Sequence, residues 1–230
     1  MTIQRTNPDH INRQPASNLH HATRFAGNHI HGKGAKKQRG DPNQPVLNLP
    51  LTYPVTINFT LLGRRSNEVA LIFRALRAQR FAVWLRRHPK NAKKQVPATY
   101  VWVQEGANRQ AAVHWAVHVP SGMRRDFLRL LPLWIASVAD AASSKTKRVA
   151  TVDPVELGVV VVKPIYNMTG LKRYMLKGVD PAYADLYKVE HVPQGQVIGR
   201  RSGFSRNLGP AARKAAGYKP RRLFWPKLVD

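Results

Sequence analysis

The sequence predicts an α+β fold in which helices pack on one face of an antiparallel sheet. Patterns typical of strands and helices follow one another in the order strand, helix, strand, strand, helix, strand. The 230 residues include 43% hydrophobic residues, which is enough for one substantial core. No internal repeat is evident, so we expect one α+β core over residues 47–208 with basic, flexible segments on both sides.

Residues 1–46 are expected to form a disordered basic arm. Asn, Gln, His, Gly, Pro and basic residues alternate there without apolar periodicity. Such a composition buries too little apolar surface to offset the entropy of ordering. Four histidines lie in this arm: His20, His21, His29 and His31. No carboxylate is placed to join them, so we favour a polar tail over a metal site.

The first strand and the first helix of the core are predicted from consecutive patterns. Residues 53–61 alternate β-branched or aromatic residues with polar ones, which is typical of a strand. Gly63 interrupts this pattern, and Ser66 and Glu68 then offer a cap and an acidic residue for the first turn of a helix. The apolar spacing extends that helix to about Arg87.

A β-hairpin, a second helix and a last strand are expected next. Residues 98–105 and 111–119 have strand patterns and are joined by a short polar turn. The helix that follows contains Pro132, which we expect to kink it. Its apolar face consists of Phe127, Leu131, Trp134 and Val138. Residues 157–162 form a buried strand, and residues 209–230 are expected to be a basic C-terminal tail.

The charge of the chain indicates its class of partner. Lys and Arg number 38 against 12 Asp and Glu, which gives a formal net charge of +26. Nucleic acid is the polyanion that most often neutralises such a charge, and binding should weaken steeply with salt. A membrane surface is the competing polyanion, but neither a basic amphipathic helix nor a lipidation signal is clear. We therefore expect a nucleic-acid partner and no membrane.

Several other classes of protein are disfavoured by the sequence. With no cysteine, disulfides, thiolate zinc sites and cysteine nucleophiles are excluded, and a metal would need His, Asp, Glu or backbone oxygen ligands. No apolar run is long enough to span a bilayer and no signal-peptide pattern is found, so we expect an intracellular protein. The glycine-rich segment 194–207 lacks the spacing of a P-loop, so ATP use is not expected.

A tyrosine and a lysine lie one helical turn apart in the segment after the last strand. They are Tyr174 and Lys177, and they stand among apolar and basic residues. A phenol beside a cation on a polycationic protein suggests chemistry on a phosphodiester. The alternative interpretation is that Tyr174 packs on one side of a short amphipathic helix. Rival tyrosines stand nearby: Tyr166, Tyr183 and Tyr187.

Three stretches resemble, in order, the motifs of HUH endonucleases. They are residues 55–59 (VTINF), 113–120 (VHWAVHVP) and 174–178 (YMLKG). The closest similarity is to the Rep-like proteins of bacterial plasmids and phages, which are rolling-circle replication initiators and relaxases. The resemblance implies a ferredoxin-like palm, a cytoplasmic, nucleoid-associated or plasmid-associated bacterial location, and action on single-stranded DNA.

The resemblance also implies roles for particular residues. In this family a tyrosine attacks the scissile phosphate, leaving a 5′-phosphotyrosine and a free 3′-hydroxyl, while two histidines hold a divalent cation. Tyr174 would be the nucleophile and Lys177 a cation that stabilises the phosphate or the phenolate. A Mg²⁺ or Mn²⁺ cofactor is implied as well.

The histidine motif departs from the family pattern. If His114 is the second histidine, the first should stand at position 112, which is Ala112. His118 shares a strand face with His114 but lies about 13 Å along it, too far for a shared metal. Glu105, across the hairpin, could supply a carboxylate, so Glu105 with His114 would form a reduced metal site.

Basic residues near these motifs are expected to contact nucleic acid. They are Lys172, Arg173, Arg200, Arg201, Arg206, Arg221 and Arg222.

Two alternatives to an endonuclease remain open from sequence. One is a non-catalytic protein with the same fold, in which Ala112 marks a lost histidine pair and only binding is retained. The other is an RNA-binding or ribonucleoprotein-assembly protein whose basic termini enter folded RNA.

Overall fold

The computed structural model describes residues 6–7, 9–26, 47–91, 95–106, 110–142 and 158–220, and every structural statement below concerns these residues. Arg221 and Arg222, which the sequence predicts to bind nucleic acid, lie outside them.

The described residues contain a five-stranded antiparallel sheet at the centre of the fold. Its strands are β2 (Tyr53–Asn58), β3 (Tyr100–Glu105), β4 (Ala112–Val117), β5 (Val160–Val162) and β7 (Ser202–Phe204). The spatial order is β5, β2, β4, β3, β7, so β4 lies in the middle. The predicted α+β class, with an antiparallel sheet and the order of elements read from the sequence, is confirmed.

One face of the sheet, here the first face, carries the helices predicted between the strands. They are α2 (Ser66–Ala75), a π-helical segment (Leu76–Phe81), α3 (Ala82–Arg87) and α4 (Arg124–Ala141). The predicted helix from Ser66 to Arg87 is thus continuous, with a π-helical middle. Its N-cap is Arg65, whose backbone N–H donates to Glu68 Oε2 at 2.8 Å. Short 3₁₀ turns occur at Pro89–Asn91, Ser121–Met123, Pro181–Tyr183 and Arg206–Leu208.

Two further helices lie on the opposite face, here the second face. They are α1 (Arg13–Phe25) and α5 (Met168–Leu176), which pack with Val101, Val103 and Ala116 in a separate apolar cluster. The expectation that helices occupy one face only is therefore wrong. Hydrophobic periodicity identifies a helix but does not say which side of the sheet it covers.

The predicted disordered arm is wrong where α1 forms. Leu19 and Phe25 are 1% and 2% exposed, and Ile11 donates its N–H to Gly178 O at 2.6 Å. The buried seam of α1 consists largely of Ala, Thr and His, which a composition argument counts as weakly apolar or polar. Residues 27–46 of the predicted arm lie outside the described part of the chain.

The C-terminal part folds back onto α1, so the predicted tail begins too early. Helix α6 (Ala184–Tyr187) follows α5 along the chain. Strand β6 (Val197–Ile198) comes next and pairs with β1 (Thr6–Asn7), and β7 and α7 (Pro210–Ala215) follow it. Arg213 donates to Asn18 O at 3.0 Å and to Asn18 Oδ1 at 2.8 Å. The Tyr218 ring lies 5.5 Å from that of Phe25, and the folded core therefore extends to Tyr218.

The described helices include none that combines the length and the apolar character needed to cross a bilayer.

Candidate active site

The register of the sheet places a histidine at the centre of the second face. Thr56 on β2 and Val103 on β3 are both directly opposite His114 on β4. Residues directly opposite one another in an antiparallel pair share a face, so these three side chains form one row. His114 is only 6% exposed, and Thr56 Oγ1 lies 2.9 Å from its Nδ1.

Glu105 reaches the same histidine from the end of β3. It is opposite Ala112, two positions from His114, and so lies diagonally across the same face. Its Oε1 is 2.9 Å from His114 Nε2. Ala112, at the position where the family pattern has a histidine, carries only a methyl group beside this contact. The register of the predicted hairpin, which the sequence alone does not specify, brings Glu105 to His114.

Tyr174 lies on α5, which packs on the second face of the sheet. Asn167 caps that helix, because its Oδ1 accepts the Gly170 N–H at 2.9 Å, and Met175 and Leu176 bury the side that packs on the sheet. The Tyr174 hydroxyl lies 3.1 Å from His114 Nδ1 and 3.0 Å from Nε2, and the two rings meet edge to face at 4.7 Å. Tyr174 is still 41% exposed, so a ligand can approach it.

Lys177 completes the group one turn after Tyr174. Its Nζ is 2.8 Å from Glu105 Oε1 and 4.2 Å from the centre of the Tyr174 ring. The ammonium therefore touches both the carboxylate and the face of the phenol, as a cation–π contact. The sequence-predicted residues Tyr174, Lys177, His114 and Glu105 form one contiguous cluster, here the tyrosine cluster.

The electrostatics of the tyrosine cluster keep the phenol protonated. Burial raises the pKa of Tyr174, and the negative charge of Glu105 raises it further. Burial would also raise the pKa of Glu105, but the contacts with His114 and Lys177 outweigh it and hold that pKa below its ordinary value. Glu105 is thus ionised at neutral pH, and Tyr174 needs a base before it can act as a nucleophile.

His114 is placed to be that base. An ionised carboxylate only accepts hydrogen bonds, so the proton of neutral His114 belongs on Nε2, facing Glu105. The free lone pair is then on Nδ1, which lies 2.9 Å from the Thr56 hydroxyl and 3.1 Å from that of Tyr174, while Nε2 lies 3.0 Å from the same phenol. This arrangement of nucleophile, base and orienting carboxylate is the one used for activating weak nucleophiles.

The donor set does not fit a resident metal ion in this arrangement. In the part of the chain that the structure describes, no three His, Asp or Glu side chains gather in a group able to hold one. Glu105 and His114 provide two donors that contact each other, and the Lys177 ammonium lies against the same carboxylate oxygen. A divalent cation at this carboxylate would have to displace the Lys177 ammonium.

His118 lies apart from the tyrosine cluster. Its Nδ1–H donates to Pro50 O at 2.7 Å, and burial lowers the pKa of its imidazole. The sequence-based expectation that it does not share a site with His114 agrees with this separate partner.

The predicted nucleic-acid contacts differ in exposure. Arg173, Arg200 and Arg206 are exposed and Lys172 is half-buried. Arg201 is 4% exposed, and its guanidinium donates to the carbonyls of Gly195 and Gln104. Arg201 is therefore buried and bonded to backbone instead of being the exposed phosphate contact that was predicted. The sequence shows its charge but not that a carbonyl of β3 and one in the segment before β6 accept its hydrogen bonds.

Sequence reasoning missed Thr56 as a site residue and missed Arg24 of α1 and Lys188 as basic neighbours of Lys172. Thr56 stands inside the first motif stretch, and its outward position in the strand alternation was the available signal. Arg24 and Lys188 lie close to Lys172. Burial lowers the pKa of Lys172 most, and the charges of Arg24, Arg173 and Lys188 lower it further. Nothing local in the sequence brings α1, α5 and α6 together.

Comparisons with known proteins add no assignment to this geometry. No protein-family model, no curated protein and no solved structure matches the chain significantly.

Proposed function

We propose that this protein cleaves and rejoins single-stranded DNA through Tyr174, in the manner of a replication initiator or relaxase. The observation that supports it is the convergence of Tyr174, His114, Glu105 and Lys177 within direct contact of one another. The hairpin strands β3 and β4 contribute Glu105 and His114, and α5 contributes Tyr174, which is 60 residues from His114 in sequence, together with Lys177. A packing tyrosine needs neither a buried histidine at 3.0 Å nor a lysine and carboxylate paired beside it.

The proposed reaction begins with transfer of the phenolic proton to His114 Nδ1. The Tyr174 oxygen forms a bond to phosphorus as the bond from phosphorus to the 3′ oxygen breaks. The products are a 5′-phosphotyrosine and a 3′ oxygen that takes a proton from solvent or from the imidazolium. The reverse reaction, in which a 3′-hydroxyl attacks the phosphotyrosine, rejoins the strand without an external energy source.

Glu105 and Lys177 have complementary roles in this step. Glu105 orients the imidazole and stabilises the imidazolium that forms when His114 accepts the proton. Lys177 lies over the phenol ring and offsets the charge of the phenolate and of the incoming phosphate. With Lys177 bound to it, Glu105 no longer presents a full unpaired charge to that phosphate.

A polyanionic substrate is supported by the surface around the tyrosine cluster. Burial, and then the nearby charges of Arg24, Arg173 and Lys188, lowers the pKa of Lys172, so these four cations lie close together. Together with the net charge of +26, this crowding favours a ligand rich in phosphate. A single strand is favoured because the reacting hydroxyl meets a buried histidine, and a flexible strand enters such a recess more easily than a duplex.

A divalent cation, a plasmid or phage origin and a cytoplasmic, nucleoid-associated location stay predictions of the resemblance. Metal dependence is separable by experiment: adduct formation in EDTA would assign the charge stabilisation to Lys177. A strict requirement for Mg²⁺ or Mn²⁺ would mean that Lys177 moves away from Glu105 when substrate binds.

The experiment that tests the function incubates the protein with labelled single-stranded DNA pools, with EDTA or with Mn²⁺, and separates the products on denaturing gels. We expect a protein–DNA adduct that survives denaturation and is lost in Tyr174→Phe. The matched control is Tyr183→Phe, a nearby tyrosine outside the cluster, which should retain the adduct. Persistence of the adduct in Tyr174→Phe would remove the proposal.

A binding function without catalysis is the second candidate. The observation that favours it is Ala112, which leaves the cluster with one histidine, beside a basic surface that would bind phosphates without chemistry. It predicts salt-sensitive binding and no adduct on any pool. Competition between single-stranded DNA, duplex DNA and structured RNA at fixed salt would then identify the preferred nucleic acid, including the RNA-binding alternative.

A further inference from the structure

An open groove of about 520 Å³ begins at Tyr174 and runs along the edge of the sheet. Its floor includes Thr56 of β2 and Val161 of β5, and Lys163 and Tyr166 stand on the far side. Because Thr56 also contacts His114 and Tyr174 lines the groove, the space is continuous with the tyrosine cluster.

Tyr166 is the most exposed of the large apolar side chains in the described residues, at 75%. Its backbone is nevertheless fixed on both sides. The preceding Ile165 is 5% exposed and donates its N–H to Thr52 O at 2.9 Å, and the following Asn167 caps α5. An exposed aromatic ring that lines the same groove as Tyr174, on a backbone fixed on both sides, has a flat face available to a ligand.

The chemistry of the groove matches an unpaired nucleotide. The volume lies within the roughly 300–1,000 Å³ typical of small-ligand sites. Its apolar floor suits a base or a sugar, and the exposed Lys163 suits a neighbouring phosphate. Aromatic side chains beside cations are the usual means of binding single strands, since every base has a face that stacks.

We propose that Tyr166 is a stacking platform for the base of a nucleotide next to the phosphate that Tyr174 attacks, with Lys163 binding the adjoining backbone phosphate. The proposal rests on the proposed function for its substrate class, but it concerns binding rather than chemistry. It assigns to this groove a preference for unpaired over paired bases, because a base within a duplex cannot stack on Tyr166.

The test measures binding in a Tyr174→Phe background, so that cleavage does not interfere. The probes are a fluorescent oligothymidylate and an abasic deoxyribose-phosphate oligomer of the same length. Tyr166→Ala should weaken oligothymidylate binding about tenfold, which corresponds to about 1.4 kcal/mol. Tyr166→Phe should retain most of the affinity, because the ring face is preserved. The matched control is Leu133→Ala, an exposed apolar residue on α4 of the other face.

The abasic oligomer separates stacking from a general loss of structure. If Tyr166 stacks on a base, the Tyr166→Ala variant and its parent should bind the abasic oligomer with equal affinity, because that oligomer has no base to stack. Equal binding of oligothymidylate by Tyr166→Ala and by the parent would overturn the proposal, as would an equal loss on the abasic oligomer. If the wild-type protein forms the adduct but Tyr166→Ala does not change the affinity for oligothymidylate, only the stacking platform is contradicted. If Tyr166→Ala weakens that binding but the wild-type protein forms no adduct, only the proposed catalysis is contradicted.

Discussion

The two faces of the sheet bury very different groups although the same strands form both. On the first face, Trp115 is fully buried and its ring lies 5.1 Å from that of Phe81 and 5.7 Å from that of Phe73. On the second face, the neighbouring His114 is also buried but meets Tyr174 and Glu105. One position along β4 thus separates a closely packed aromatic core from a polar cluster.

This difference assigns stability and chemistry to separate sides of one strand. Burying polar groups costs free energy unless they are paired, and apolar replacement on the second face would be the simpler way to a stable fold. The first face fixes the strand register, because a slip of one residue would exchange Trp115 and His114 between faces. Large apolar residues therefore hold the tyrosine cluster in place without touching it.

The largest effect expected is on catalysis, from His114→Ala. Removing the base and the group that Glu105 orients should slow adduct formation about 10²–10⁴-fold. Single-turnover gels with saturating DNA would measure it. The matched control is His118→Asn, a buried histidine beyond the same strand, which should leave the rate near that of the parent. Equal slowing by both variants would assign the effect to general disruption.

The comparison of faces also predicts losses of stability that differ in size. Trp115→Ala should lower the free energy of unfolding by about 3–5 kcal/mol, because it leaves a large cavity among aromatic rings. His114→Ala should lower it by less than about 2 kcal/mol, since the lost polar contacts are replaced by water through the exposed side of the cluster. Urea denaturation, followed by the circular dichroism of the backbone so that the loss of a tryptophan does not affect the signal, would measure both. A larger loss for His114→Ala would reverse the assignment of the two faces.

An acid-sensitive contribution to stability is expected where α1 covers the second face. Burial, then nearby positive charges, lowers the pKa of His20 to about 3, and burial and Arg213 lower that of His21 to about 4. Because the folded pKa values are depressed, this stability is present above the ordinary histidine pKa near 6.5 and is lost as pH falls towards 3.

The loss amounts to a few kcal/mol on the order-of-magnitude scale of such shifts. His20→Phe keeps a ring beside Tyr187 and removes the titrating group, so its stability should fall less over this pH range. Urea midpoints at several pH values would show it. Identical pH profiles for the parent and His20→Phe would mean that α1 does not bury His20.

The smallest effect expected is a change in the acidity of Tyr174. Glu105→Gln removes the negative charge that helps to raise the pKa of the phenol, so that pKa should fall while burial keeps it above its ordinary value. Difference absorbance of the phenolate during an alkaline titration would detect the shift. The control is Glu68→Gln, at the cap of α2 on the first face, which should show the same phenolate titration as the parent.

Much of the fold followed from the sequence because its signals are local. Strand alternation, a helix start at residues 65–68 and a hairpin with a short turn predicted β2, α2, β3 and β4 within a few residues. The short edge strands β6 and β7 were missed, since two or three residues carry no periodicity. Helix α1 was missed because its buried seam is made of small and polar residues.

The sequence predicted which residues form the candidate site, but not all of the contacts between them. Tyr174, Lys177 and His114 followed from the resemblance to the family motifs and from the spacing of the first two. Glu105 was joined to His114 across the expected hairpin, although the sequence does not specify its register. The contact of Lys177 with Glu105 depends on how α5 docks across the sheet, which no local pattern encodes. The burial of Arg201 depends likewise on the Gln104 carbonyl, which is distant in sequence, together with the nearby Gly195 carbonyl.

The most direct test of the central claim is to identify the residue that carries DNA. The adduct would be digested with nuclease and trypsin and its peptides analysed by mass spectrometry. Trypsin separates the candidate tyrosines, because Tyr174 falls in residues 174–177, Tyr183 and Tyr187 in residues 178–188, and Tyr166 in residues 149–172. We predict a nucleotide mass on the 174–177 peptide alone. The same mass on the 178–188 or 149–172 peptide, or on none, would contradict the account.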